Sequence, residues 1–286
     1  MELDLDAYLD RIGHRGPVEP TVACLGAVHL AHVSSIPFEN LDILLGLPIR
    51  LDLESLQDKL VRRRRGGYCF EQNTLFAAVL EAIGFGVTRL AARVRLGRQG
   101  ITPRTHMVLR VDAGGSEWLA DVGFGGGSIL APLPFEPGPV AEQFAWRFRL
   151  VDTDGARVLQ TLRPDGWLDY YGFTFEPQHP VDFELANHYT STHPDSRFTR
   201  TLTAQLSSPE RSLVLRGLSF AELTPSDEVV SRIEPDRLLE VLSSRFTLRL
   251  PEGTRFEVVD AAVSVPTSAL GARPRRGVDG PGDRGA

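Results

Sequence analysis

A thiol attacks a carbonyl well only after losing its proton. A nucleophilic cysteine therefore needs a base within reach and a group that holds the base in place. The sequence has two cysteines and seven histidines in 286 residues. Cys69 follows "RRRRGGY" and precedes "FEQNTLFAAVLEAIG", where Leu75, Phe76, Val79, Leu80 and Ile83 recur at helical spacing. The spacing puts the cysteine in, or just ahead of, a first helical turn. Unpaired N–H groups there carry partial positive charge that favours a thiolate. Gly66 and Gly67 permit close backbone approach or a positive φ. Cys24, inside an alanine- and leucine-rich helical stretch, reads as an ordinary buried cysteine. The glycine pair and the helix start set Cys69 apart from it.

His106 is the histidine with a partner nearby in the chain. "THMVLRVDAGGSEWLADVGF" alternates with period two on both sides of a turn at residues 113–116. A Gly114-Gly115 turn pairs Ala113 with Ser116, faces Val108 with Asp121 and sets His106 diagonally beside Asp121. An Ala113-Gly114 turn puts His106 directly opposite it. Both registers place the two side chains on one face, about 5–8 Å apart at the level of the strands; a three-residue loop would break the parity. Asp121 sits amid Trp118, Leu119, Ala120, Val122 and Phe124. A carboxylate buried there needs a partner, and an imidazole fixed in one tautomer supplies it.

Other features are less specific. "GFGGGS", residues 123–128, offers backbone N–H groups to a phosphate, yet a triple glycine reads more readily as a turn. It is not a dinucleotide fingerprint, and no P-loop occurs. The arginines at 62–65 read mainly as a solvated helix end, with Arg65 a candidate for a buried hydrogen-bond network. His29 and His32 stand at i, i+3 without a further ligand cluster, so no metal is expected. Lys59 is the only lysine, which argues against Schiff-base chemistry. A net charge of −6 argues against nucleic acid as a partner. No stretch reaches the roughly 18 apolar residues of a membrane span. The acidic, amphipathic start "MELDLDAYLDRIG" does not read as a signal peptide, so a reducing cytoplasm is expected.

The elements that must position these residues change period near Gly86. Before it the chain reads helical, with Leu5, Tyr8, Leu9 and Ile12 on one face, Pro20 at a helix start, and Leu53, Leu56 and Leu60 at helical spacing. After it, "VTRLAARVRL", "THMVLRVD", "EWLADVGF", "AWRFRLVD", "ARVLQTLRP" and "GWLDYYGFTFEP" read as successive antiparallel strands of a barrel or a strongly curled sheet. A helix over "VDFELANHYTS", strands over "TLTAQLSSPERSLVLRGLSFAEL" and a helix with Leu238, Leu239 and Leu242 inward complete the pattern. "GARPRRGVDGPGDRGA", residues 271–286, reads as disordered.

"RRGGYCFEQN", "THMVLRV" and "LADVGFGG", with "SSIPFENLDILLG" and "NHYTSTHPDSRF", resemble the arylamine N-acetyltransferase family. The resemblance implies a multi-domain α+β fold: an N-terminal helical bundle, a central antiparallel β-barrel and a C-terminal α/β lid around a cysteine-protease-like Cys-His-Asp core. The expected divisions are 1–85, 86–195 and 196–270, with 271–286 as a tail. It also implies Cys69 as the acetylated nucleophile, His106 as base and Asp121 as orienting acid. Phe38, Phe124 and Phe198 match aromatic residues of the acceptor pocket; Thr105 and Gly125 match positions near coenzyme A. The implied activity is ping-pong acetyl transfer from acetyl-CoA to an arylamine, N-hydroxyarylamine or arylhydrazine, a reaction of xenobiotic metabolism, by a monomer or homodimer. The nearest rival is an amide synthase closing a macrolactam on a carrier-bound polyketide with the same triad. A cysteine peptidase and a catalytically silent binding protein are weaker rivals.

Overall fold

The computed structural model describes residues 2–256 apart from 99, 164, 225 and 226; the stretch 271–286 lies outside the described residues. Helix α1 (Leu5–Ile12) begins where the Asp4 carboxylate accepts the Ala7 N–H at 3.0 Å, and ends at Gly13 with φ 70°. Helix α2 (Val22–Ser35) is capped by the Thr21 hydroxyl, which accepts the Cys24 N–H at 3.2 Å. Pro20, expected in the first turn, lies outside it because threonine takes the capping position. Strand β1 (Phe38–Glu39), α3 (Leu41–Leu44) and α4 (Leu53–Leu56) follow. The helix expected to run on from Leu53 instead widens into π geometry over Gln57–Arg62, where Lys59 is buried. Helix α5 (Cys69–Ile83) closes at Gly84 with φ 107°. The two glycines before Cys69 serve close approach and not positive φ; Arg64, at φ 52°, takes the left-handed position. A Cβ on Gly66 would lie 2.0 Å from the Pro37 carbonyl oxygen, so the chain passes against β1 only because no side chain is there.

Eight antiparallel strands form the second layer. They are β2 (Gly86–Val94), β3 (His106–Ala113), β4 (Ser116–Ala120), β5 (Leu133–Pro134), β6 (Ala141–Gln143), β7 (Trp146–Thr153), β8 (Ala156–Arg163) and β9 (Gly166–Pro177). Their order is β5-β4-β3-β2-β9-β8-β7-β6. The edges approach each other: Gln143 of β6 accepts the Leu130 and Ala131 N–H groups and donates to the Ala131 carbonyl, at 2.7 to 3.1 Å. The sheet is thus a nearly closed barrel. Along β3 the period of two divides the core, as pleating requires. Met107, Leu109 and Val111 face the helical cluster, and Val108 faces the barrel interior with Leu90, Leu119, Phe148 and Tyr171.

Helix α6 (Pro180–Thr192) leads to β10 (Thr203–Ser207), β11 (Ser212–Arg216), β12 (Ser219–Leu223), β13 (Glu228–Arg232) and α7 (Leu238–Phe246). These strands form a sheet ordered β1-β10-β11-β12-β13, so the N-terminal region supplies its edge. Helix α7 buries Leu238, Leu242 and Phe246 against this sheet, while Leu239 is half-buried. The architecture is the α+β fold expected from the sequence: helical bundle, antiparallel barrel, C-terminal α/β unit.

Candidate active site

Gly114 and Gly115, at φ 59° and 76°, form the tight turn of the β3–β4 hairpin and pair Ala113 with Ser116. Leu109 pairs with Ala120, so the ladder points Asp121 at Val108, with His106 diagonal to it. Of the two registers open in the sequence, this is the first. Strand β4 stops at Ala120, earlier than the apolar pattern suggested, and residues 121–124 turn beneath the start of α5. Gly123 makes this possible: a Cβ there would lie 2.7 Å from Asn73 Nδ2 and 2.8 Å from Cys69 Cα. Two separate elements, the hairpin end and the helix start, meet at that glycine.

The His106 Nε2 to Asp121 Oδ2 distance is 2.7 Å, and the side chains are 2% and 1% exposed. Asp121 Oδ1 accepts from Asn73 Nδ2 and from the Gly123 N–H, each at 2.9 Å. Burial alone would raise the Asp121 carboxyl, but His106, Asn73 and the Gly123 N–H together hold it below the ordinary range. It is an anion with every oxygen engaged. With Nε2–H directed at Asp121, the basic nitrogen of a neutral His106 is Nδ1. Tyr171 packs on the His106 ring at 4.9 Å between centroids, and Phe124 meets it edge-on at 5.3 Å. The Tyr171 hydroxyl is buried beside Asp121 without a hydrogen bond of good geometry; burial, then the Asp121 charge, keep it protonated.

Cys69 is the first residue of α5 and is 4% exposed. Its thiol donates to the Thr105 carbonyl at 3.5 Å. Burial, then Asp121, push the thiol upward; the Phe70 N–H and the Arg197 guanidinium act in the opposite sense. The helix start expected to favour the thiolate is present, but burial outweighs it in the resting site, so a base must take the proton. The Cys69 helix is seated by Glu71, whose Oε2 accepts the Tyr68 N–H at 3.0 Å. Glu71 Oε1 is 2.7 Å from Lys59 Nζ, and Lys59 also reaches Asp42 at 2.8 Å. Arg65 bridges Glu39 and Asp42 at 2.7 and 2.8 Å, the buried network anticipated for it. Two cations face three carboxylates. Burial, with the Glu39 charge adding to it, pushes Glu71 up to about 7 despite Lys59.

Cys69, Thr105, His106 and the rings of Phe38, Phe124 and Phe198 line one cavity of about 190 Å³. A cavity of about 150 Å³ accepts benzene, so this one holds an aromatic ring with a substituent. Five of these six are the residues the resemblance assigned to the triad and acceptor pocket, and Thr105 joins them. Asp121 stands behind His106. Gly125 lines instead a small adjoining cavity with Gln205, and a Cβ on it would meet the Gln205 amide oxygen at 2.0 Å. The glycine segment is internally satisfied at three N–H groups: Gly123 by Asp121, Gly126 by the Gln205 side chain, Ser128 by the Gly125 carbonyl. Those three are not free to hold a phosphate.

Sequence reasoning missed Asn73, Gln72, Glu71 and His29 as supports. Asn73 also takes the Val122 N–H at 3.1 Å and donates to the Met107 carbonyl at 2.8 Å, tying α5 to both sides of the hairpin. Its signal was available, since it stands four residues after Cys69 on one helical face. His29 Nε2 accepts the Asp121 N–H at 3.3 Å, and burial lowers it to about 4, so it stays neutral. His32 bridges Tyr8 and Gln72 at 2.7 and 2.6 Å, and Gln72 donates to the Pro37 and Gly67 carbonyls. The two histidines are buried core residues.

Fold and site together are those of an acyltransferase built on a cysteine-protease-like core. An N-acetyltransferase family model matches residues 21–255. Arylamine N-acetyltransferase of Mycobacterium tuberculosis is 40% identical over 259 residues, covering 88% of this chain and 92% of that relative. The crystal structure of the Nocardia farcinica arylamine N-acetyltransferase superposes with TM-score 0.84 at 45% identity, covering 87% of this chain and 91% of that one. The Mycobacterium marinum enzyme in complex with CoA gives TM-score 0.83 at 37% identity, covering 86% and 93%. The chain belongs to the arylamine N-acetyltransferase family.

Proposed function

We propose that the chain transfers an acetyl group from acetyl-CoA to the nitrogen of an arylamine, N-hydroxyarylamine or arylhydrazine by a ping-pong route through an acetyl-Cys69 thioester. The observation that carries this reading is the single cavity holding Cys69 and His106 inside three phenylalanine rings, with His106 anchored on Asp121 at 2.7 Å. The likeness to an enzyme solved with CoA supports the donor. In the first half-reaction His106 Nδ1 takes the Cys69 proton, and the thiolate attacks the acetyl carbonyl. The carbon–sulfur bond to coenzyme A breaks, and the leaving thiolate takes the proton from the imidazolium. In the second, the amine nitrogen attacks the thioester, His106 takes its proton, and the Cys69 sulfur leaves as the amide forms. Asp121 stabilises the imidazolium at both stages and is not itself protonated.

Exchange of one thioester for another is nearly balanced in free energy, and formation of the amide runs downhill. The apolar rings keep water, the competing nucleophile, from the intermediate. Phe38, Phe124 and Phe198 serve as walls for a flat acceptor, and Thr105 lies on the donor side. The organisation into 1–85, 86–195 and 196–270 follows the same reading, with the nucleophile on the first part and the base and orienting acid on the second.

Intact-mass measurement after mixing with acetyl-CoA tests the proposal. A gain of one acetyl group is expected on the native protein and none on Cys69→Ala, and an arylamine should discharge the adduct. A native protein that never gains the group is not this enzyme.

A further inference from the structure

One buried hydrogen-bond chain runs from the first helix to the turn that carries the nucleophile. Tyr8 on α1, His32 on α2 and Gln72 on α5 are each at most 1% exposed. The Tyr8 hydroxyl meets His32 Nδ1 at 2.7 Å, and His32 Nε2 meets Gln72 Oε1 at 2.6 Å. Gln72 Nε2 lies 3.1 Å from the Pro37 carbonyl oxygen and 3.1 Å from that of Gly67.

The Gln72 end fixes every proton in this chain. A carbonyl oxygen can only accept, so the face of Gln72 toward Pro37 and Gly67 is its NH2 group, with one hydrogen for each oxygen. The amide oxygen then faces His32, whose Nε2 must carry the imidazole proton. That leaves Nδ1 as an acceptor, and Tyr8 donates to it. Burial lowers His32 to about 3 despite the Gln72 contact, so the ring is neutral. A flipped amide would set its oxygen against two carbonyl oxygens and its NH2 group against the His32 N–H.

The two carbonyls are the joint between β1 and the cysteine turn. The Gly67 N–H reaches the Pro37 oxygen at 3.3 Å, and the Glu39 N–H reaches the Gly67 oxygen at 3.0 Å. Each oxygen thus takes one backbone donor and one hydrogen of Gln72. Phe38 follows one carbonyl directly, and Cys69 stands two residues after the other. Phe38 also bridges Gly67 in parallel. Gln72 itself lies three residues after Cys69 on the same helix, so it ties the helix start to both sides of the joint.

We propose that Gln72 is a positioning residue for acetyl transfer: its two amide hydrogens hold β1 and the Gly67 turn in one register, and that register aims the Cys69 sulfur at the acyl carbonyl. This deepens the acetyl-transfer reading and rests on it. Tyr8 and His32 act further back, keeping the amide in its orientation.

The test follows single-turnover acetylation of Cys69 by mass at saturating acetyl-CoA in the full-length protein. Gln72→Met keeps the length of the side chain but has no donor. Its rate should fall about ten- to a hundredfold, with little change in the acetyl-CoA concentration that half-saturates it. Gln72→Glu keeps an acceptor for His32 and loses both donors, so it should be at least as slow. Tyr8→Phe should lower the urea midpoint and leave the rate near native. A Gln72→Met variant that is less stable but acetylates at the native rate overturns the proposal. So does native kinetics in Gln72→Glu, or a Tyr8→Phe variant as slow as Gln72→Met. Imidazole nitrogen chemical shifts of the labelled native protein give a reading that needs no variant to fold. The Nε2–H tautomer is expected for His32, and the Nδ1–H tautomer overturns the proposal, because the amide would then be reversed. If the native protein gains no acetyl group on Cys69, the underlying reading fails first, and the tautomer still tells whether Gln72 holds the joint.

Discussion

His106 Nε2 stands 2.7 Å from Asp121 Oδ2, with both side chains closed to solvent. Asp121→Asn keeps the shape of that contact but not its charge. One amide oxygen cannot serve His106, Asn73 and Gly123 together, and the amide nitrogen presents a donor where a donor already points. Acetylation of Cys69 should slow by about a thousandfold or more, read as the rate of adduct formation by mass. A loss below tenfold would mean that Asp121 does not orient the base.

Gly123 is where hairpin and helix touch. In Gly123→Ala the new methyl would stand 2.7 Å from Asn73 Nδ2, a side-chain atom tied by hydrogen bonds to Met107 and Asp121, and 2.8 Å from the backbone Cα of Cys69. Separation of the two elements should cost about 1–3 kcal/mol in urea unfolding and slow Cys69 acetylation disproportionately. Native kinetics in this variant would show that the contact does not set the triad.

Lys59, the only lysine, holds Glu71 and Asp42 in a buried site. Lys59→Met strands Glu71, while Asp42 keeps Arg65 at 2.8 Å, and a loss of about 3–5 kcal/mol is expected. Adding Glu71→Gln should recover part of it, since the stranded charge disappears. A double variant as unstable as the sum of the two single variants would deny the coupling.

His29 bears on acid stability. Its native value of about 4 lies below the ordinary 6.5, so the unfolded chain binds the proton more readily. The stability it contributes is present above about pH 6.5 and is lost as pH falls toward 4. Glu71, raised to about 7, acts in the reverse sense, its contribution present at low pH and lost as pH rises through 7, so the native curve mixes the two. His29→Gln keeps an acceptor for the Asp121 N–H but removes the titration. It should be less stable than the native protein at pH 7 by about 1–2 kcal/mol, with the gap narrowing toward pH 4 in urea melts. A gap that stays constant over that range contradicts the burial of a neutral His29.

The hairpin shows how far local pattern reaches. Alternation on either side of Gly114-Gly115, with a two-residue turn, puts His106 and Asp121 on one face, because side-chain direction in a strand repeats every two residues. The helical period likewise put Cys69 in, or just ahead of, a first helical turn, and the structure makes it the first helical residue. It also placed Asn73 one turn on, although its role was not drawn from that. Where the apolar pattern suggested strand beyond Ala120, a glycine contact with a distant helix ended it, and the pattern carries no mark of such a contact.

By itself the sequence determined the helix at Cys69, the hairpin and the change from helical to strand period near Gly86, since these follow from periods a few residues long. Only the tertiary structure decided that Phe38 pairs with Gln205 across two sheets' worth of chain, that Lys59 and Glu71 meet beneath the cysteine, and that Arg197 lies over the Phe198 ring at the cavity wall. Each depends on long-range packing, where burial and the pairing of charges choose partners that no local repeat encodes.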